Sequence, residues 1–204
     1  MSDHLYNIDR DLKEAGAMVK ALEHYLKQDT LYGSVSGGFL SFSPMPSLTV
    51  GALLLRLRRL EALEADGKLD HKQRDTLRTI SAQHKDIYTQ NRRLYEEKLL
   101  REATSRLKAI HPFFEEAFKD PKSGPRNYRP EAMRRTIVQE IFFRLEELGI
   151  QLDDDLKKLL STTDSKLRRY ATDKNGFVLD PALEAYYPAN PFWWLHQEPH
   201  TPEK

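Results

Sequence analysis

The 204-residue chain contains no cysteine, which excludes disulfides, thiolate-bound zinc, iron–sulfur ligation and thiol nucleophiles. It also lacks a long apolar run. The most hydrophobic stretch, Leu48–Leu55, stops at Arg56, well short of the ~20 apolar residues a membrane span requires. Neither charge sign dominates: 32 Lys and Arg against 31 Asp and Glu leave a formal net charge of +1. A uniform polycation is thereby excluded, and only local basic patches remain to be considered. No basic n-region followed by an apolar stretch comes after Met1, so a cytoplasmic location is expected and no membrane partner.

Metal-binding patterns are missing as well. No histidine stands three residues after a carboxylate, and no HExxH occurs, so neither a metal nor another cofactor is expected. His196 and His200 are spaced for one helix face, but Pro199 lies between them. Gly33–Gly38 holds three glycines without the GKS or GKT of a phosphate loop and reads as an ordinary loop.

What is present is helical periodicity, and an all-α fold follows from it. Leu12, Ala15, Val19, Leu22 and Leu26 recur at three and four residues, predicting a helix over 8–28. Gly16 inside that pattern points to close packing, since it costs about 1 kcal/mol relative to Ala. Residues 29–47 read as a loop, pinned by Leu31, Tyr32, Val35, Phe39, Leu40, Phe42 and Met45. A heavily covered helix is expected over 48–65, ended by Asp66-Gly67.

From Asp70 to Ile110 nothing breaks helix. A continuous helix there would be ~60 Å long, against a diameter near 43 Å for a compact chain of this size. Its apolar stripe changes phase between Leu94 and Tyr95, so the helix protrudes, bends or breaks. A protruding version would need a second copy of the chain to cover its stripe, and this is the reason to expect a homodimer. Further helices are predicted from Pro130 to Leu148 and from Asp153 to Arg169, the first opened by Pro130-Glu131.

The expected whole is a bundle of about five helices, with one long, possibly bent helix, over residues 1–176. Residues 177–204 are read as an aromatic, proline-rich tail packed on it, able to form a short hairpin, within a single domain. Phe192, Trp193 and Trp194 are the tail's interface candidates, with docking on the chain's own helices as the competing reading.

Two basic clusters stand out as anion or nucleic-acid candidates: Arg56, Arg58 and Arg59, and then Arg126, Arg129, Arg134 and Arg135. Two Arg–His spacings, Arg78 to His84 and Arg106 to His111, fit a metal-independent helical RNase. No catalytic residue is singled out otherwise. The expected function is therefore a non-enzymatic interaction or scaffolding protein that self-associates and binds a further protein. Nucleic-acid binding is the first alternative and RNase activity the second.

Overall fold

Four of the helix starts in the computed structural model fall where a side-chain oxygen satisfies one of the first N–H groups. Asn7 Oδ1 accepts the Arg10 N–H at 2.8 Å and Thr49 Oγ1 that of Ala52 at 3.1 Å. Asp70 and Gln73 cap each other's backbone N–H reciprocally, at 2.8 and 3.0 Å. Asp153 Oδ1 takes the N–H of Leu156 at 2.7 Å. The structure describes residues 6–35, 45–119, 124–173 and 176–199.

The chain is all-α in its main elements: α1 (Ile8–Lys27), α2 (Val50–Ala65), α3 (His71–Gln90), α4 (Arg92–Lys119), α5 (Gly124–Glu147) and α6 (Asp154–Tyr170). One short antiparallel pair, β1 (Ala171–Asp173) with β2 (Glu198–Pro199), accompanies them. No helix among the described residues is long and apolar enough to cross a membrane. Two compact units are present, residues 7–102 and residues 103–204 with 1–6; they are called the N-terminal and C-terminal units below.

In the N-terminal unit, α1 buries Leu12, Ala15, Val19, Leu22 and Leu26 and packs against both α2 and α3. Helix α2 is covered on most sides, as its leucine-rich sequence predicts. It ends at Gly67, whose φ of 69° lets the Lys68 N–H reach back to Leu63 at 2.9 Å. Beyond α1, the backbones of Gly33 and Leu48 exchange two hydrogen bonds of 2.9 and 2.8 Å, and these fasten the ends of the intervening segment. A Cβ on Gly33 would lie 2.8 Å from the Tyr25 ring, so only glycine fits there. The Tyr25 hydroxyl donates to the Leu31 carbonyl at 2.7 Å. Phe39, Leu40 and Phe42, expected to pin this loop, lie outside the described residues.

Two carbonyls just past the end of α1 are met by a buried lysine. Lys98 Nζ donates to the carbonyls of Gln28 and Thr30 and lies 4.5 Å from the centre of the Tyr25 ring. Burial, helped by Arg101, holds the Lys98 ammonium below the usual lysine range.

The long helix expected over 70–110 is two helices. Asn91, at φ −124° and ψ 30°, separates α3 from α4, and its side-chain amide takes up the Ile87 carbonyl at 3.0 Å. Along one straight helix His84 and Tyr95 would be separated by a rise of about 16 Å. Instead His84 Nε2 meets the Tyr95 hydroxyl at 2.8 Å. The phase shift in the apolar stripe is this break, and the long continuous stripe that argued for a homodimer is not formed. The break also makes six long helices among the described residues where about five were expected.

In the C-terminal unit, α4 continues through Pro112, and α5 begins at Gly124 rather than at Pro130. Each internal proline removes one helical N–H. The helix before Pro130 is retained because it carries Tyr128, buried with its hydroxyl on the Trp194 carbonyl at 2.8 Å. Phe113, Phe114, Tyr128 and Tyr170 form a ring cluster with centroids 5.2 to 6.4 Å apart. The tail runs as 3₁₀ turns at Pro181–Tyr186 and Trp193–Leu195. Its segments around Val178 and Leu195 touch through one backbone hydrogen bond of 2.8 Å, and the strand pairing falls elsewhere, between β1 and β2.

Candidate functional site

Helix α1 divides its side chains between two jobs. Residues three and four apart share a face, and the carboxylates Asp11 and Glu14 turn towards α2. Glu14 accepts Arg56 Nη2 at 2.5 Å and Arg10 Nε at 2.8 Å. Asp11 lies 3.8 Å from both Arg56 and Arg59. Burial alone would raise the Glu14 carboxyl, but the guanidinium groups of Arg10 and Arg56 outweigh it and hold the group below the ordinary carboxylate range.

The other side of α1 borders a cleft of about 1000 Å³. Gly16, Ala17 and Ala21 keep that side of the helix low, while Leu12 and Ile80 lie at the bottom. Across from α1, α3 contributes Thr76, Thr79 and Gln83. Gly33–Val35 and Leu48 complete the lining, so the backbone bridge at Gly33 helps to shape it.

The charge on this cleft has one sign. Lys13 and Lys20 stand along α1 at its edge, and no Asp or Glu lines it among the described residues; His24, also at the edge, takes the Gln28 side-chain amide on Nε2 at 2.8 Å. Among the described residues neither Lys13 nor Lys20 has a carboxylate partner, although both are exposed. The Thr76 and Thr79 hydroxyls donate back to the carbonyls of Lys72 and Asp75 at 2.8 and 2.9 Å, which leaves their oxygens as acceptors. The arrangement suits a partner with an apolar side and negative charge beside it.

The arginine clusters are placed otherwise. Arg56 and Arg59 serve the ion pairs to α1 just described, and Arg58 is half-buried beside them. In the C-terminal unit, Arg135 is buried and clasps Asp164 through Nε and Nη2 at 2.7 and 3.1 Å. Its guanidinium plane stacks 4.0 Å from the Trp194 ring centre, which uses edge and face of the same group at once. Arg134 donates to Glu131 at 3.1 Å and to the Ala109 carbonyl at 3.3 Å. Burial raises the Glu131 carboxyl despite that arginine. Arg129 is exposed, and the Arg126 side chain lies outside the described residues. The two clusters belong to different units.

Phe192 and Trp194, expected at an interface, are buried within the C-terminal unit, while Trp193 is half-buried. Trp194 Nε1 donates to Thr136 Oγ1 at 3.0 Å, and that hydroxyl donates in turn to the Ala132 carbonyl. Arg168 lies 3.9 Å from the Trp193 ring centre.

Of the two Arg–His spacings, His84 is buried against Tyr95 and Arg78 lies within 4 Å of Glu64 and Asp75. His111 Nε2 is 3.0 Å from Thr163 Oγ1. That hydroxyl already gives its proton to the Leu159 carbonyl, so the imidazole is the donor. Burial, with Lys166 nearby, lowers the His111 pKa. Among the described residues no group of three or more His, Asp or Glu side chains is arranged to hold a metal ion.

The cleft was not visible in the sequence, although its elements were: Gly16, Ala17 and Ala21 share a helix side with Lys13, Lys20 and His24. No family model matches the chain, and no curated protein or solved structure does so either.

Proposed function

We propose that the chain is a non-enzymatic interaction protein, working in the cytoplasm, and that the cleft beside α1 and α3 is the surface with which it holds a partner polypeptide. On this reading α1, α2 and α3 act as a small bundle that presents the cleft. One observation carries the reading: an apolar-floored cleft edged by two exposed lysines, Lys13 and Lys20, on a helix whose buried carboxylates, Asp11 and Glu14, face the arginines of α2 instead. Fixed charges without partners on a preformed concavity supply orientation and encounter rate to a complementary surface. The arginines and histidines singled out from the sequence are, by contrast, largely spent on holding helices together.

The test is native mass spectrometry of gently purified protein, wild type beside Ala21→Trp, which fills the cleft. A polypeptide retained in fixed stoichiometry by wild type and lost from Ala21→Trp is the expected result. Nucleic acid or a metal retained equally by both proteins would overturn the reading, as would a polypeptide held equally by both.

A further inference from the structure

We infer that the occupant of the α1–α3 cleft is an acidic amphipathic helix. The inference rests on the docking reading above and specifies its partner chemistry. Three features of the cleft lead to it.

The first is length. The lining runs along α1 from Leu12 to Gln28, about 24 Å at ~1.5 Å per residue. A groove of that reach matches four turns or more of a helix lying beside α1.

The second is the spacing of charge. Lys13 and Lys20 are seven residues apart, two helical turns, which sets them about 10.5 Å apart along the helix axis. A partner helix carrying carboxylates seven residues apart meets both in one register. An extended strand repeats its same-face side chains at about 6.8 Å, so a spacing of about 10.5 Å falls between its first and second repeats. A single anionic headgroup could reach only one of the two positions, leaving the other without a partner.

The third is Gly16. A glycine inside a helix costs about 1 kcal/mol relative to alanine, and internal packing gives no reason for it here. A Cβ at Gly16 would meet Ile80 Cδ1 at 3.5 Å, an ordinary van der Waals distance, so the close packing expected from the sequence does not require glycine. The missing side chain instead leaves room on the cleft side, where Ala17 and Ala21 are also small. Helices pack at 8–10 Å between axes depending on the side chains between them, and small residues on one permit the close end of that range.

The experiment uses the full-length chain and three 18-residue peptides of equal helicity, each with a Leu/Ala face flanked by charged positions seven residues apart. One carries Glu at those positions, one Gln and one Lys, and binding is read by fluorescence anisotropy at low salt. The Glu peptide should bind at least 10-fold more tightly than the Lys peptide. Lys13→Glu/Lys20→Glu should reverse that order. Gly16→Ala should melt higher than wild type and yet bind the Glu peptide several-fold more weakly, a combination that a merely structural role for Gly16 would not produce.

Equal binding of all three peptides, abolished by Ala21→Trp, would overturn the acidic partner and keep the docking reading. A single-chain fatty carboxylate bound in the cleft where no peptide binds would overturn both the helix and the polypeptide reading. Binding of none of these probes would overturn both as well.

Discussion

The two units use their shielded arginines differently, one to join helix to helix and the other to join helices to the tail. In the N-terminal unit, Arg56 and Arg59 reach the carboxylates of α1 and fasten helix to helix. Those contacts use the edges of the guanidinium groups. In the C-terminal unit, Arg135 holds Asp164 by its edge and Trp194 by its face, so one side chain ties two helices and the tail. A planar cation satisfied in its own plane still offers a face to an aromatic ring. The C-terminal unit exploits that face to close its core with a segment of little regular structure. On the cleft side of α1 the N-terminal unit places glycine and alanine beside lysines.

The sharpest way to break this contrast is to remove the tail. Truncation before Phe177 deletes Leu183, Tyr187, Phe192, Trp194 and Leu195, all buried. At about 1.5–3 kcal/mol for each large apolar side chain, the loss approaches the 5–15 kcal/mol that stabilises a typical domain. The C-terminal unit should then lose its cooperative transition in urea followed by circular dichroism. An unchanged melting temperature would refute the closing role of the tail.

Next in size are single ion pairs. Asp164→Asn and Glu14→Gln should each cost about 2 kcal/mol, because each leaves a poorly solvated guanidinium short of an acceptor. The units should differ in coupling. Asp164→Asn combined with Trp194→Phe should depart from additivity by about 0.5 kcal/mol or more, since both residues meet Arg135. Glu14→Gln combined with Trp194→Phe should be additive. Both tryptophans of the chain, Trp193 and Trp194, lie in the C-terminal unit, so their emission follows that unit.

The smallest effect is in pH dependence. His111 has its pKa lowered by burial and Lys166, so the unfolded chain takes up that proton first as pH falls. Its stabilising contribution is present above the ordinary histidine value of 6.5 and is lost on acidification through it. Glu14, also lowered, keeps its contribution until pH falls below the ordinary carboxylate value of 4.5. Glu131 runs the other way: its raised carboxyl favours the folded state at low pH and loses that effect as pH rises. Between pH 7.5 and 5.5 the C-terminal unit should therefore lose stability through His111. His111→Gln, which keeps a donor for Thr163, should flatten that slope in tryptophan-monitored unfolding. An identical slope in the variant would remove His111 from the account.

What could be read from the residues was what is local. Helices α1 and α6 begin and end within a residue or two of expectation, because apolar spacing and capping side chains act within a few residues. The phase shift beside Asn91 was visible, but whether the helix would bend or break depended on the reach of His84 to Tyr95. Pro130 was read as a helix start from its usual preference, and the packing of Tyr128 overrode it. For the arginine clusters a local count of charge sees only part of the balance. Two of their acceptors lie far along the chain, with Asp164 paired to Arg135 and Glu14 to Arg56, while Arg129 stays exposed. The cleft belongs to the same class, since its two sides come from α1 and α3.

The two backbone hydrogen bonds between Gly33 and Leu48 have an engineering consequence. They hold the ends of residues 34–47 together, and the entropy of closing such a loop grows only with the logarithm of its length. Doubling the segment would cost about 0.6 kcal/mol, little beside the stability of a typical domain. A reporter protein could be grafted between those ends. Because Gly33 and Leu48 also line the cleft, the graft would sit beside it, and on the docking reading proposed above its signal would report occupancy.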